Sequence, residues 1–270
     1  AIAYMGILLL GNESSSLGTG LSYADLRSVS SHISPLILKI SFLLIFVGYS
    51  VKLETIPLYT PAIDLNHASP SPSAAFISSA LVGSSMLSLL RLYGVVASNA
   101  EVFVWVRHLL LIVGILSIVI SAVYMGRTSN CKRLLSYSTV ENNGIALVGL
   151  ALGGVGVFAA ILHTLAHMVV KSVLFFQIGT VGKIYGTLTL GRHNGYLKAD
   201  PVGAVVIILS LFAISAFPPS VLFTSEITIF TSMLSGNLWG VLIIAMVALL
   251  IALYWLIERV LLLVLRANSQ

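Results

Sequence analysis

The sequence predicts an all-α, polytopic membrane helical bundle in which two of the helices are broken. Of its 270 residues, 58% are hydrophobic and only 9% are charged, a far more apolar balance than soluble domains have. Windows of about 20 apolar residues recur, and at 1.5 Å per residue each is long enough to cross a hydrocarbon core of roughly 30 Å. Runs of this length indicate spanning helices rather than the short strands of a barrel.

The charge balance and the cysteine count exclude several functions. The net charge of +5 comes from basic residues in short turns between apolar runs, a pattern typical of membrane topology and not of nucleic-acid binding. Cys131 is the single cysteine, which rules out an internal disulfide and an iron–sulfur cluster held by this chain alone. We therefore expect no metal, no cofactor and no redox chemistry in the chain itself. Residues 1–10 lack the basic flank of a signal peptide and are interpreted as the end of a helix already under way.

Hydropathy and helix breakers place seven membrane spans. The predicted spans are 35–59, 73–95, 104–125, 134–152, 155–181, 202–234 and 238–265. Pro57 and Pro61 interrupt the first of them, and Pro218 and Pro219 interrupt the sixth after Phe217. Because proline has no backbone N–H and clashes with the preceding turn, each of these two helices should break or kink.

Ionisable residues inside the spans are the main functional signal, since insertion scales give a cost of at least about 2.5 to 3.5 kcal/mol for a charge at the bilayer centre. Lys52 precedes the first pair of prolines, where unwound backbone carbonyls are available as partners. The alternative is a lysine that extends to the membrane interface. Glu54 is two residues away and so lies on a different helical face, although a break lets the two side chains meet.

A second signal is the row His163, His167 and Lys171, spaced i, i+4 and i+8. This spacing places all three on one helical stripe about 12 Å long. Histidine and a desolvated lysine change charge near neutral pH, so together they are suited to passing protons through intervening water. One alternative is a structural role, with each group bonded to a neighbouring helix. Zinc is a further alternative, disfavoured because the HTLAH segment lacks the glutamate of a metalloprotease motif and no third ligand is evident.

The third signal is Glu226, which follows the second proline pair in an apolar segment. Ionisation there is costly unless a cation or water meets the carboxylate. The alternative is a structural pair with a lysine on a neighbouring helix. The chain contains neither a phosphate-binding loop nor a nucleophile with its base, and its aromatic residues are scattered, so hydrolysis and nucleic-acid binding are both disfavoured.

Five segments in this order resemble one known family: KLETIP, PAIDLNHASPSPSAA, CKRLLSYSTVENNG, the segment with His163, His167 and Lys171, and FPPSVLFTSEITIF. They are similar to the antiporter-like subunits shared by respiratory complex I, membrane-bound hydrogenases of the hydrogenase-4 type and multi-subunit cation/proton antiporters. The FTSE form favours the hydrogenase branch.

The resemblance implies two inverted repeats, each with a broken helix and a half-channel for protons. Residues 1–95 would form the end of the first repeat, with its break near 52–61. Residues 96–265 would form the complete second repeat, with its break near 217–219. The chain would then begin part-way through the first repeat.

The same resemblance implies roles for individual residues. Lys52 matches the lysine of the first broken helix, Lys171 and the two histidines match the central positions, and Glu226 matches the charged residue of the second broken helix. Asp64 fits the family pattern after the first break and is, with Glu54, an accessory candidate. Gly83 stands where many members carry a lysine or another polar group.

We therefore expect an antiporter-like subunit that translocates protons or sodium ions within a multi-subunit membrane oxidoreductase, in the plasma membrane or an equivalent energy-converting membrane. Its partners would be other membrane subunits, the transported ion and the lipid bilayer. Two alternatives stay open: a structural membrane spacer in the same complex, and a stand-alone secondary transporter.

Overall fold

The computed structural model of the protein describes residues 1–190 and 195–265. Within those ranges every regular element is a helix, which confirms the predicted all-α membrane bundle. In chain order the helices are α1 (Ile2–Ser16), α2 (Tyr23–Val29), α3 (Pro35–Ser50), α4 (Thr60–Ala68), α5 (Ser71–Phe76), α6 (Val82–Val96), α7 (Ala100–Arg127), α8 (Cys131–Leu152), α9 (Val155–Tyr185), α10 (Tyr196–Ala199), α11 (Pro201–Ile214), α12 (Val221–Ser235) and α13 (Trp239–Leu265).

Four helices of the described chain are long and apolar enough to cross a membrane. They are α7, α9, α13 and the continuous helix Ser71–Val96, in which a π-helical turn at Ile77–Leu81 joins α5 to α6. These four coincide with the predicted spans 73–95, 104–125, 155–181 and 238–265. Helices α3, α11 and α12 are apolar but shorter. The protein is thus a multi-pass membrane protein.

Helix α8 occupies the centre of the bundle. All of its residues are buried except Arg133 and Leu152, although it carries several polar side chains and is not among the four long apolar helices. A polar helix is buried in this way when the surrounding helices shield it from lipid. Its first turn is capped by the Asn130 side chain, which accepts hydrogen bonds from the backbone N–H groups of Lys132 and Arg133.

Close packing of α7 on α8 depends on two glycines. A Cβ atom placed on Gly114 would lie 2.8 Å from the carbonyl oxygen of Gly144, and a Cβ on Gly144 would lie 2.8 Å from the carbonyl oxygen of Gly114. The two backbones therefore approach as closely as small residues allow, which is the usual way that membrane helices gain packing energy.

The helical hydrogen bonding stops near both predicted breaks. Helix α3 ends at Ser50 and α4 begins at Thr60, while α11 ends at Ile214 and α12 begins at Val221. Both connections hold a non-glycine residue at positive φ, Glu54 at 52° and Ala216 at 50°. Helix α3 ends at Ser50, shortly before the break predicted near residues 52–61 of the span 35–59. The division of the chain into two inverted repeats stays a prediction.

Candidate ion-translocation site

Lys171 lies at the centre of a buried group of ionisable side chains. Its side chain is fully buried in the middle of α9, and its Nζ donates a 2.5 Å hydrogen bond to the carbonyl oxygen of Leu135 on α8. Glu54 and Glu141 both lie near enough to interact electrostatically with this amino group. The structure thus brings one amino group together with two carboxyl groups from different parts of the chain.

Glu54 reaches this group from the connection between α3 and α4. Its carboxyl group is fully buried, and its Oε1 accepts a 2.9 Å hydrogen bond from Nδ2 of Asn66 on α4. Its Oε2 has no hydrogen-bond partner within residues 1–190 and 195–265. Oε1 is therefore held by Asn66, whereas Oε2 is available to bind a proton or a water molecule.

Two side chains from the neighbouring helices hold that connection in place. Asn143 of α8 donates a hydrogen bond to the carbonyl oxygen of Leu53, and Ser117 of α7 accepts one from the backbone N–H of Ile56. These bonds satisfy backbone groups that a broken helix leaves unpaired, as burial in a membrane protein requires.

Lys52 does not enter the group, so the expectation that it lies inside the bundle is wrong. In the described chain its side chain is exposed, whereas the carboxylate of Glu54 is buried. The two are two positions apart, on either side of Leu53, and α3 has already ended at Ser50. The turn that carries Glu54 inward therefore leaves Lys52 on the outer surface of this bundle.

The two histidines extend the group along α9. His163, His167 and Lys171 are all fully buried, and Nδ1 of His163 lies 3.0 Å from Oγ of Ser225 on α12. Nε2 of His163 and both ring nitrogens of His167 have no hydrogen-bond partner in the described part of the chain. The predicted stripe therefore faces the interior and carries unpaired polar atoms.

Glu226 lies on α12 beside a carboxylate that sequence reasoning missed. Glu141 of α8 and Glu226 line the same cavity, with a volume of about 200 Å³, and are near enough to interact electrostatically. Glu141 is a charged residue inside the predicted span 134–152, so the energetic criterion that selected Glu226 would also have found it.

Asp64 has a different environment from the other candidates. It forms a 2.6 Å ion pair with Arg133 at the surface, where its side chain is 66% exposed. Next to Arg133, Lys132 donates a 2.6 Å hydrogen bond from Nζ to the carbonyl oxygen of Ser69, just after α4. These contacts join α4 to α8, and a role for Asp64 in ion transfer stays a prediction.

Apolar helices that enclose acidic, basic and imidazole side chains define a polytopic membrane protein with ionisable groups in its interior. A family model for the transmembrane part of NADH:quinone oxidoreductases and Mrp antiporters matches residues 4–252. The chain belongs to this family, which confirms the predicted resemblance.

Curated relatives come from several members of the family. The chain is 28% identical over 220 residues to a hydrogenase-4 component F homolog of Methylacidiphilum infernorum (isolate V4), an alignment that covers 80% of this chain and 46% of that protein. It is 30% identical over 234 residues to hydrogenase-4 component B of Escherichia coli (strain K12), covering 82% of this chain and 34% of that protein. The chain thus spans less than half the length of these relatives.

Solved structures share the fold. A chain of the membrane-bound sulfane sulfur reductase, an archaeal respiratory membrane complex, superposes with a TM-score of 0.90 at 24% identity, covering 99% of this chain and 54% of that one. A chain of the Mrp complex from Dietzia sp. DQ12-45-1b gives a TM-score of 0.87 at 20% identity, covering 99% of this chain and 49% of that one. At these identities the likeness shows the fold alone.

Proposed function

We propose that this chain translocates protons as an antiporter-like subunit of a multi-subunit membrane complex. The observation that carries the proposal is the row of buried ionisable side chains in the bundle interior, several of them with polar atoms that no described residue satisfies. The residues of this row are Glu54, Glu141, His163, His167 and Lys171, all of them buried, and Glu226, which is partly exposed at the cavity that Glu141 also lines. The printed names of the relatives, hydrogenase-4 components, support the same function.

Burial of these groups without full pairing is expensive. An unsatisfied polar group in an apolar environment costs about 1–3 kcal/mol by mutational data, and a charge costs more. A purely structural role would be served as well by apolar side chains of similar volume. Proton transfer, in contrast, requires groups that bind and release a proton and polar atoms that water can reach.

The charge of Lys171 favours protons over sodium. Lys171 interacts electrostatically with both Glu54 and Glu141, and a protonated lysine at this position repels a metal cation that would pass. The same lysine gives up its proton when its surroundings change, because burial disfavours its charged form and neighbouring carboxylates favour it. Lys171 can thus release its proton toward one of the two carboxylates, Glu54 or Glu141, and take up a new proton from the other.

Lys52 is proposed to act as a switch from outside this row. Lys52 precedes Glu54 by two positions, so a change in the position or surroundings of its charge alters the electric field at the Glu54 carboxylate, which in turn interacts with Lys171. Displacement of one charge across 100 mV is worth about 2.3 kcal/mol, enough to alter the occupancy of such a site.

The electron-transfer chemistry is proposed to reside in other subunits. Structures with this fold are part of assemblies described as an Mrp complex and as a respiratory membrane complex. We propose that this chain likewise works beside other membrane subunits in the lipid bilayer and itself needs no cofactor. Conformational or electrostatic changes in a neighbour would then drive the proton transfer.

Substitution of Lys171 and Glu226 by alanine tests the proposal in the purified complex reconstituted into vesicles. Proton translocation at constant turnover of the complex, followed with a pH-sensitive dye, should be lost in each variant while the complex still assembles. Lys183→Ala is the matched control, because Lys183 is on the same helix but exposed. Unchanged translocation in Lys171→Ala or Glu226→Ala refutes the assignment, and failure of assembly in both favours the spacer alternative.

A further inference from the structure

The cavity between α8, α11, α12 and α13 holds two carboxylates in an apolar setting. Glu141 and Glu226 line it, and the rest of its lining is apolar except for Ser215. No lysine, arginine or histidine of the described chain is part of the lining. The wall includes Ile227, Met246 and Leu250, whose side chains are exposed on the outer surface of the bundle.

Glu141 is the more deeply buried of the two carboxylates. Its residue is only 8% exposed, whereas Glu226 is partly exposed. Neither side chain has a hydrogen-bond partner within residues 1–190 and 195–265. The charged group that acts on Glu141 is Lys171 from α9, and the group that acts on Glu226 is Glu141.

Two neighbouring carboxylates in such a setting do not both ionise readily, because each negative charge disfavours the other and the apolar wall disfavours both. Pairs of this kind in other proteins hold one proton in common over a wide pH range. We propose that Glu141 and Glu226 share one proton across this cavity and form the station that takes up the proton released by Lys171. This inference rests on the proposed function and adds to it the missed residue Glu141.

The proton count balances over one transfer. At rest the pair holds one proton, and the proton released by Lys171 leaves that lysine neutral and both carboxyl groups protonated. One proton then departs from Glu226, the member nearer the outer surface, and the pair returns to its resting state. Lys171 regains its proton from the side of Glu54.

Infrared difference titration of the purified complex tests the sharing directly. The signal is the C=O stretch of protonated carboxyl groups, compared between the wild type and the variants Glu141→Gln and Glu226→Gln. The wild type should show two separated midpoints for the pair. In either variant the remaining carboxyl group should titrate about one pH unit or more below the upper wild-type midpoint, because its repulsive neighbour is gone.

Glu258→Gln is the control, since Glu258 lies on α13 next to Arg259 and is not part of the cavity lining. It should leave both midpoints of the pair unchanged. A remaining carboxyl group that titrates at the upper wild-type midpoint overturns the sharing, because the two groups are then independent. The titration is repeated with choline and with sodium as the cation of the buffer. An upper midpoint that is lower in sodium than in choline also overturns the sharing, since a metal cation would then occupy the place of the proton.

The titration separates this inference from the proposed function because it is an equilibrium measurement and needs no transport. Independent midpoints together with loss of translocation in Lys171→Ala would refute the shared proton and support the proposed function. Coupled midpoints together with normal translocation in Lys171→Ala would support the shared proton and refute the proposed function.

Discussion

Asn66 on α4 donates a 2.9 Å hydrogen bond to the buried carboxylate of Glu54, a residue that precedes α4 in the non-helical connection. Glu54 adopts a φ of 52°, a conformation that costs a non-glycine residue of order 1–3 kcal/mol and that is concentrated at functional sites. The strain is offset by the hydrogen bonds that this connection accepts from Asn66 of α4 and Asn143 of α8 and by the one that it donates to Ser117 of α7. The first interruption therefore places a carboxylate, and not the preceding lysine, in the bundle interior, where it interacts electrostatically with Lys171.

Glu54→Gln should reduce proton translocation by about tenfold or more, because it removes a proton-binding group while keeping the hydrogen bond from Asn66. Lys52→Gln should have a smaller effect, since Lys52 acts only through the field at Glu54. The measurement is dye-detected proton uptake at fixed turnover of the complex. Glu101→Gln, which alters an exposed ion pair with Lys39, serves as the control. A wild-type rate in Glu54→Gln would contradict the assignment of Glu54.

His167→Leu should lower proton translocation without destabilising the protein. Both ring nitrogens of His167 are buried and unpaired among the described residues, so their removal should leave the free energy of unfolding unchanged or raise it by about 1 kcal/mol. His163→Leu is the comparison, because it also removes the contact with Ser225 and should cost about 1 kcal/mol. Unfolding in detergent and translocation are measured on the same preparations, and a destabilised His167→Leu with normal translocation would show a structural role.

Lys132→Met should destabilise the bundle by about 1–3 kcal/mol. The Nζ of Lys132 is the donor to the carbonyl oxygen of Ser69, and loss of a charged donor leaves that oxygen without this bond. Arg133→Met removes the exposed pair with Asp64 and should cost about 0–1 kcal/mol. Denaturant unfolding compares the two neighbours. An equal loss in both variants would contradict the importance of the contact with Ser69.

Gly144→Ala should destabilise the protein by about 1–3 kcal/mol, because the added methyl group forces α7 and α8 apart. The expected Cβ position is 2.8 Å from the carbonyl oxygen of Gly114. Gly94→Ala is the control, since no atom lies within 4 Å of its added Cβ and alanine favours the helix by roughly 0.5–1 kcal/mol. The midpoint of thermal unfolding should fall in the first variant and hold or rise in the second.

Sequence reasoning succeeded where helix geometry alone determines the result. The row His163, His167 and Lys171 was predicted to share one stripe, and all three side chains are buried together. It failed at Lys52 because the direction of a side chain after a helix ends does not follow from helical spacing. Glu141 had a detectable signal, a carboxylate inside a predicted span, but its neighbour Glu226 is distant in sequence and no spacing rule joins them.

By itself the sequence determined that this is a membrane bundle of helices, where its apolar spans run and which residues of α9 face one side, because hydropathy and the helical period are local properties. The tertiary structure alone decided that Glu54 is buried where it interacts electrostatically with Lys171 and that Glu141 and Glu226 line one cavity. The physical reason is that these arrangements depend on hydrogen bonds and packing between segments far apart in the chain, such as the bond from Asn143 to Leu53 that holds the first interruption against α8.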